Sequence, residues 1–228
     1  MSSIIEGTNP IVTQTKFGKF VLEPSDGVCQ TIREDKFWDD WLLPFFDNLT
    51  KEEVAVEIGG HIGFHTVYMA RKCKNIHIFE PQLINYNRII KNCELNDVNN
   101  VSYYNFALYS KSCEMSIHNQ PDLQKNINYN TCQACSLSLR ENDKGDIEAR
   151  TLDSFNIQNV SFIKIDAENQ DLDVIKGAKE TIKRDRPKII FESSNESSQI
   201  RDCNALMDEI GYKIESVASC NWLAIPKD

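Results

Sequence analysis

Residues 54–63 read Val54-Ala55-Val56-Glu57-Ile58-Gly59-Gly60-His61-Ile62-Gly63. Through Ile58 the run is short, mostly apolar and rich in β-branched side chains, which predicts a buried strand. The glycines at 59, 60 and 63 then turn the chain into a helix expected over about Ile62–Lys72. Glycine permits the tight turn and lets a ligand approach the backbone, while the helix start presents unpaired amides. A strand passing straight into a helix opens a parallel α/β sheet, so this stretch decides the fold.

Downstream the same alternation continues. Strands are expected at Ile76–Phe79 and Val101–Phe106, with a helix over Gln82–Leu95 between them. It resumes with Phe162–Ile165, a helix from about Leu172 to Lys183, and Lys188–Phe191 after Pro187. A further helix near Gln199–Ile210 ends at Gly211, and Tyr212–Val217 with Trp222–Ile225 make a closing, antiparallel pair. The polar, Asn-rich stretch around His118–Lys144 is longer than a structureless connection usually is and reads as a lid or substrate loop, about residues 118–145. Upstream, Ile11–Leu22 suggests a hairpin, and Ile32, Phe37, Trp38, Trp41, Leu42 and Phe45 give a one-sided stripe for a helix from about Thr31 to Leu49, kinked or broken at Pro44. The expected fold is α/β: a Rossmann-like, mostly parallel sheet with an antiparallel closing strand and helices on both faces. Residues 1–50 elaborate a main domain over 51–228, the whole forming a single compact unit.

Bulk properties narrow the function classes. The length of 228 residues suits one α/β domain, and 41% hydrophobic with 26% charged residues is a globular composition. A net charge of −9 repels phosphate backbones and disfavours a nucleic-acid partner. The cations Lys183, Arg184, Arg186 and Lys188 read as a solvated helix end rather than a binding strip. The eight cysteines are scattered and no apolar leader opens the chain, so free thiols in a cytoplasmic, reducing setting are expected. Cys132 and Cys135 form a lone C-x-x-C read as loop thiols, not half a zinc site. No apolar run is long enough to span a bilayer. Oligomeric state stays open.

The glycine turn gains meaning from Glu80, which closes the next strand about 20 residues on, where a carboxylate can accept hydrogen bonds from both ribose hydroxyls of a nucleoside. Dinucleotides and S-adenosylmethionine both use that arrangement. Dinucleotide folds want G-x-G-x-x-G, whereas Gly59, Gly60 and Gly63 give G-G-x-x-G. The preceding Glu57 would oppose a pyrophosphate and suit a cationic amino-acid moiety.

At this point the chain resembles the FkbM family of methyltransferases. Its Glu57–Gly63 segment is similar to the family's D-V-G-A-N-I-G, with Glu57, Gly60 and His61 replacing Asp, Ala and Asn. Phe79-Glu80-Pro81 matches F-E-P, Asn105-Phe106-Ala107 resembles N-x-A, and Thr151-Leu152-Asp153 matches T-L-D. Ile163 to Glu168 matches I-K-I-D-x-E, Lys176-Gly177-Ala178 matches K-G-A, and Arg186-Pro187 followed by Glu192 matches R-P ending in an acid. The resemblance implies a class I methyltransferase sheet, S-adenosylmethionine as cofactor, and O-methylation of a small-molecule hydroxyl, above all a sugar or glycan unit. It also implies a cofactor site of Glu57, Gly59, Gly60, His61, Gly63, Phe64, Glu80, Pro81, Asn105, Ala107 and Asp166. After Glu168 the family has Gly and a small residue, whereas this chain has Asn169 and Gln170, which reshapes the acceptor side.

Alcohol methylation releases a proton, so a base is useful, and Asp166, Glu168, His65 and Glu192 all fall near the C-terminal edges of strands. Asp166 is the first choice, with Lys164 on the same side by strand alternation. No required metal is expected. His61 and His65 are expected on one face of the first helical turn, His61 lining the cofactor pocket, and Asp153 is expected to cap the short helix after it. Two alternatives stand beside the enzyme reading: an inert module that binds the cofactor, and a ribose methyltransferase. The second wants a Lys-Asp-Lys-Glu set, for which no further lysine follows at a strand end.

Overall fold

A computed structural model describes residues 10–118, 138–193 and 198–227. It opens with the expected hairpin, β1 (Ile11–Thr15) against β2 (Gly18–Leu22). The helix expected from Thr31 to Leu49 is instead three pieces: α1 (Gly27–Arg33), a 3-10 turn over Asp40–Leu42, and α2 (Leu43–Asp47). Asp35 and Asp39 adopt left-handed backbone conformations, φ 58° and 53°, which helical propagation does not allow. Pro44 lies in the first turn of α2, where its missing amide costs nothing, so of a kink or a break it marks the break, at a new helix start.

The main sheet follows: β3 (Val54–Ile58), α3 (Phe64–Ala70), β4 (Asn75–Phe79), α4 (Leu83–Leu95) and β5 (Val101–Tyr104). A small insertion comes next, β6 (Ala107–Leu108), β7 (Cys113–His118), β8 (Ser138–Glu141) and β9 (Ile147–Arg150). A 3-10 turn over Leu152–Phe155 leads to β10 (Val160–Ile165), α5 (Asp171–Lys176), α6 (Lys179–Asp185), β11 (Lys188–Glu192), α7 (Ser198–Glu209), β12 (Tyr212–Ala218) and β13 (Asn221–Pro226). The seven-stranded sheet runs β12-β13-β11-β10-β3-β4-β5, parallel from β11 to β5, with β13 antiparallel to both its neighbours. The predicted sheet, closing strand included, is the one observed.

Strand alternation assigns the two faces. Ala55, Ile76, Ile78 and Phe162 pack with residues of α1 to α4 on one side, while Val56, Ile58, Phe79, Ile163 and Ile165 pack with α5, α6 and α7 on the other. Helices therefore cover both faces, as the apolar runs require. The N-terminal elaboration is bolted to α4: Asn92 accepts from the Val21 amide and donates to the Ile62 carbonyl, both at 2.7 Å. Arg88 of α4 pairs with Glu23 after β2 at 3.6 Å in a buried setting.

Four further sequence expectations are corrected. β5 stops at Tyr104 rather than Phe106, because Asn105 turns its amide onto the Glu80 and Pro81 carbonyls. The helix expected over Leu172–Lys183 breaks at Gly177, where a Cβ would sit 2.0 Å from the Tyr109 carbonyl oxygen. Asp153 does not cap its own turn, which Thr151 caps; it accepts from the Glu180 and Thr181 amides at the start of α6. The end of the expected lid is strand β8, paired with β7; residues 119–137, with Cys132 and Cys135, lie outside the described residues. The described cysteines are free thiols, and no helix among the described residues is long and apolar enough to cross a membrane.

Candidate functional site

The sheet reverses its winding at β3: the chain proceeds to β4 and β5 on one side and later to β10 and β11 on the other. Ligands of open α/β sheets bind beyond the carboxyl ends of the strands at such a switch. A cavity of about 310 Å³ opens there, lined by Gly59 and His61 after β3, Glu80 and Pro81 after β4, Phe106 and Ala107 after β5, Asp166 to Glu168 after β10, and Glu192 at the end of β11.

The glycine turn builds its floor. Gly59 has φ +79°, and a Cβ there would lie 1.9 Å from the carbonyl oxygen of Asp166, so the neighbouring strand end fills the space a side chain would need. The Asp166 amide donates to the Ile58 carbonyl, fastening the two strand ends together. His61 is left-handed, φ 51°, and precedes α3, so it does not share a helical face with His65. The expected alignment fails because the helix begins only at Phe64. His61 instead reaches Asp26, 3.4 Å away. Burial alone would raise the Asp26 pKa, but His61 and the Cys29 amide outweigh it and hold the carboxyl below its usual range.

Glu80 is buried, 4% exposed, yet borders the cavity. Its Oε2 accepts from the His61 amide at 3.0 Å and its Oε1 from the Gln82 amide at 2.9 Å. The Asn85 side chain donates to the carboxyl as well, which leaves lone-pair capacity for a ligand on one oxygen. Burial lifts the carboxyl to about 7 against the pull of those amides. Beyond it Pro81, Phe106, Leu108, Met115 and Leu139 supply apolar wall for a flat ring. That combination suits a ribose with its base.

The other half is acidic. Lys164, 4% exposed, places Nζ 3.2 Å from Asp166 Oδ2. Burial would lower the lysine pKa, but Asp166, Glu57 and Asp39 raise it, so it stays an ammonium. Burial and the neighbouring Asp166, Glu192 and Asp171 push Glu168 up to about 8. Glu192 is raised by burial and by Asp166 and Asp39. Asp171, fully buried and raised to about 7 by desolvation, accepts from the Glu192 amide at 3.0 Å and so holds the end of β11 against α5. The turn through Glu168 and Asn169 is left-handed at both, φ 50° and 73°, a conformation non-glycine residues adopt only when their surroundings impose it. Gln199 of α7 donates to the Asn169 carbonyl.

Of the residues expected at the site, Gly59, His61, Glu80, Pro81, Ala107, Asp166, Glu168 and Glu192 line the cavity together. Glu57, Gly60, Gly63, Phe64, Asn105 and Lys164 stand behind it. Glu57 is buried and accepts from Thr66 Oγ1 at 2.5 Å, with desolvation raising it to about 7. Gly60 and Gly63 pack on Ile78 and Ile89, Phe64 sits in the aromatic cluster of Phe17, Phe20 and Phe37, and Asn105 holds the turn after β4. His65 leaves the list of bases: it is buried, its Nε2 donates to the Trp38 carbonyl at 2.9 Å, and desolvation lowers it to about 3. Trp38 and Asp39 line the cavity unforeseen, because their segment reads as helix up to Pro44; the acid pairs at 34–35 and 39–40 are the visible interruptions before it. Among the described residues no group of three or more His, Cys, Asp or Glu is placed to hold a metal ion.

Comparison with known proteins gives the following. The model of the methyltransferase FkbM domain matches residues 57–214, more than half of the chain. "Methyltransferase 1" of Beauveria bassiana (strain ARSEF 2860) is 23% identical over 207 residues, covering 82% of this chain and 80% of its own length. The crystal structure of methyltransferase FkbM from Methylobacillus flagellatus KT superposes with a TM-score of 0.51 at 17% identity, over 78% of this chain. The chain spans 44% of the length of that protein. M. jannaschii TYW2, solved in complex with AdoMet, gives a TM-score of 0.47 at 12% identity, over 98% of this chain and 87% of its own.

Proposed function

The chain belongs to the FkbM methyltransferase family, with S-adenosylmethionine as its cofactor, and from that premise we propose that it methylates a hydroxyl of a small molecule, a sugar or glycan unit. The observation that carries this reading is one cavity with two unlike ends: Glu80, set to receive a ribose, and the Asp166–Lys164 pair, set to receive an alcohol.

The residues fit the cofactor. A buried carboxylate anchored by two backbone amides and Asn85, with lone-pair capacity left on one oxygen, suits a ribose hydroxyl, and the apolar wall beside it suits adenine. When bound, S-adenosylmethionine supplies an electrophilic methyl group on a sulfonium. Everything else falls to this chain. Positioning the acceptor oxygen in line supplies much of the rate. Lys164 holds Asp166 in one orientation, so Asp166 accepts the hydrogen of the acceptor hydroxyl at a fixed place and takes the proton as the oxygen reacts. Glu168, raised to about 8, enters protonated at neutral pH and donates a hydrogen bond to a second acceptor oxygen. The acids at this end repel phosphates, which argues against a nucleic-acid acceptor.

Transfer of label from methyl-labelled S-adenosylmethionine to a panel of saccharides and other hydroxylated small molecules tests the reading. An O-methylated product is expected, with Asp166→Asn lowering turnover by about 100- to 10,000-fold and weakening S-adenosylhomocysteine binding less than about tenfold. Label on none of them, or normal turnover in the variant, contradicts it.

A further inference from the structure

Trp38 and Asp39 lie before residue 57, outside the stretch that matches the family, yet both reach the cavity. They get there because the backbone turns left-handed at Asp35 and Asp39, which breaks the helix and brings Trp38 and Asp39 to the cavity wall. The pair is held in place from several sides. The Trp38 carbonyl accepts from His65, and the Asp39 carboxyl hydrogen-bonds the Trp41 side chain.

Resting on the methyltransferase reading above, we propose that Trp38 and Asp39 form the acceptor subsite, and that it admits an uncharged sugar ring while excluding its phosphorylated and nucleotide-linked forms. The charge balance carries this. Asp39, Asp166 and Glu192 line the cavity, and among the described residues Lys164 is the one cation ion-paired to the group, His61 being paired with Asp26. Setting Glu168 aside as protonated, the group holds two surplus negative charges, and the one net positive charge of S-adenosylmethionine cancels only one of them. A phosphate on the acceptor would meet this surplus in a half-buried site, where repulsion is poorly screened. Burial raises Asp39 against the pull of Lys164, and Asp166 adds to the rise. A neutral polyol has the opposite fit: carboxylates accept from its hydroxyls, and the face of Trp38 covers the apolar C–H side of its ring.

The test uses the protein saturated with S-adenosylhomocysteine and titrated with the methyl glycosides of glucose, galactose, mannose and fucose, and with glucose, galactose and mannose 6-phosphates and UDP-glucose. At least one neutral glycoside is expected to bind, at least about tenfold tighter than any of the charged forms. Trp38→Ala should lose about tenfold or more of that affinity and Trp38→Phe should keep most of it. Asp39→Asn should narrow the discrimination against phosphate at least about threefold. All three variants should hold S-adenosylhomocysteine within about twofold of the parent, which also shows them folded. Binding of a phosphorylated form as tight as the neutral one, binding of none of the neutral glycosides, unchanged affinity in Trp38→Ala, or unchanged selectivity in Asp39→Asn overturns the proposal. Failure of the parent protein to bind S-adenosylhomocysteine would instead remove the reading beneath it.

Discussion

Gly59 condenses the relation between sequence and site into one position. The glycine is legible in the sequence, but its reason is not: it reads as room for a ligand, whereas the missing Cβ makes room for the carbonyl of Asp166 on the adjacent strand. Gly59→Ala combines a positive φ with that clash and should cost about 3 kcal/mol. Urea denaturation measures it, and a change under about 0.5 kcal/mol would show that the two strand ends are not so tightly joined. Glu80 is the converse case, legible in its place, because the carboxylate that closes the second core strand in the sequence is the one that borders the cavity. Asp39 is not legible, since its position depends on left-handed turns that leave no periodic trace in an otherwise apolar stripe.

At the scale of elements, strands buried on two faces announce themselves through apolar runs, which is why the sheet and its closing strand follow from the sequence. Interruptions are harder to see. Gly177 ends α5 because β6 runs close by, and such a neighbour is set by tertiary contact rather than local pattern. Three of the insertion sheet's four strands escape for a related reason: they are short, two residues in β6 and four in β8 and β9, too brief for alternation to register. The second of the split helices needs its own cap, and Asp153 provides it from the preceding turn with bonds of 3.0 and 2.8 Å. Asp153→Ala should therefore cost about 1 kcal/mol, and Asp153→Asn distinctly less, by equilibrium unfolding. Equal and negligible effects would mean that α6 starts without it.

Across the whole molecule, function has been built from buried acids. Burial raises Glu57, Glu80 and Asp171 to about 7 and Glu168 to about 8. Each is raised above its unfolded value, so the folded chain binds more protons than the unfolded one, and the stability this gives is lost as pH rises through the folded pKa. Below about 6.5 the buried His65, lowered to about 3, works in the opposite direction, since it must charge on unfolding. Between pH 6.5 and 8 the acids act alone, so the thermal midpoint of the ligand-free protein should fall across that interval. A flat or rising midpoint would show these carboxyls to be better solvated than their burial indicates. Two of the four, Glu80 and Glu168, line the cavity, while Glu57 and Asp171 are buried behind it.

Calorimetric titration with S-adenosylhomocysteine, comparing the parent protein with Glu80→Ala, reaches the central claim most directly. The parent should bind, and the variant should bind more weakly by about 1–3 kcal/mol through loss of charged hydrogen bonds to the ribose. Absence of binding by the parent, or equal affinity in the two proteins, would contradict the assignment of this crevice to an adenosyl ligand.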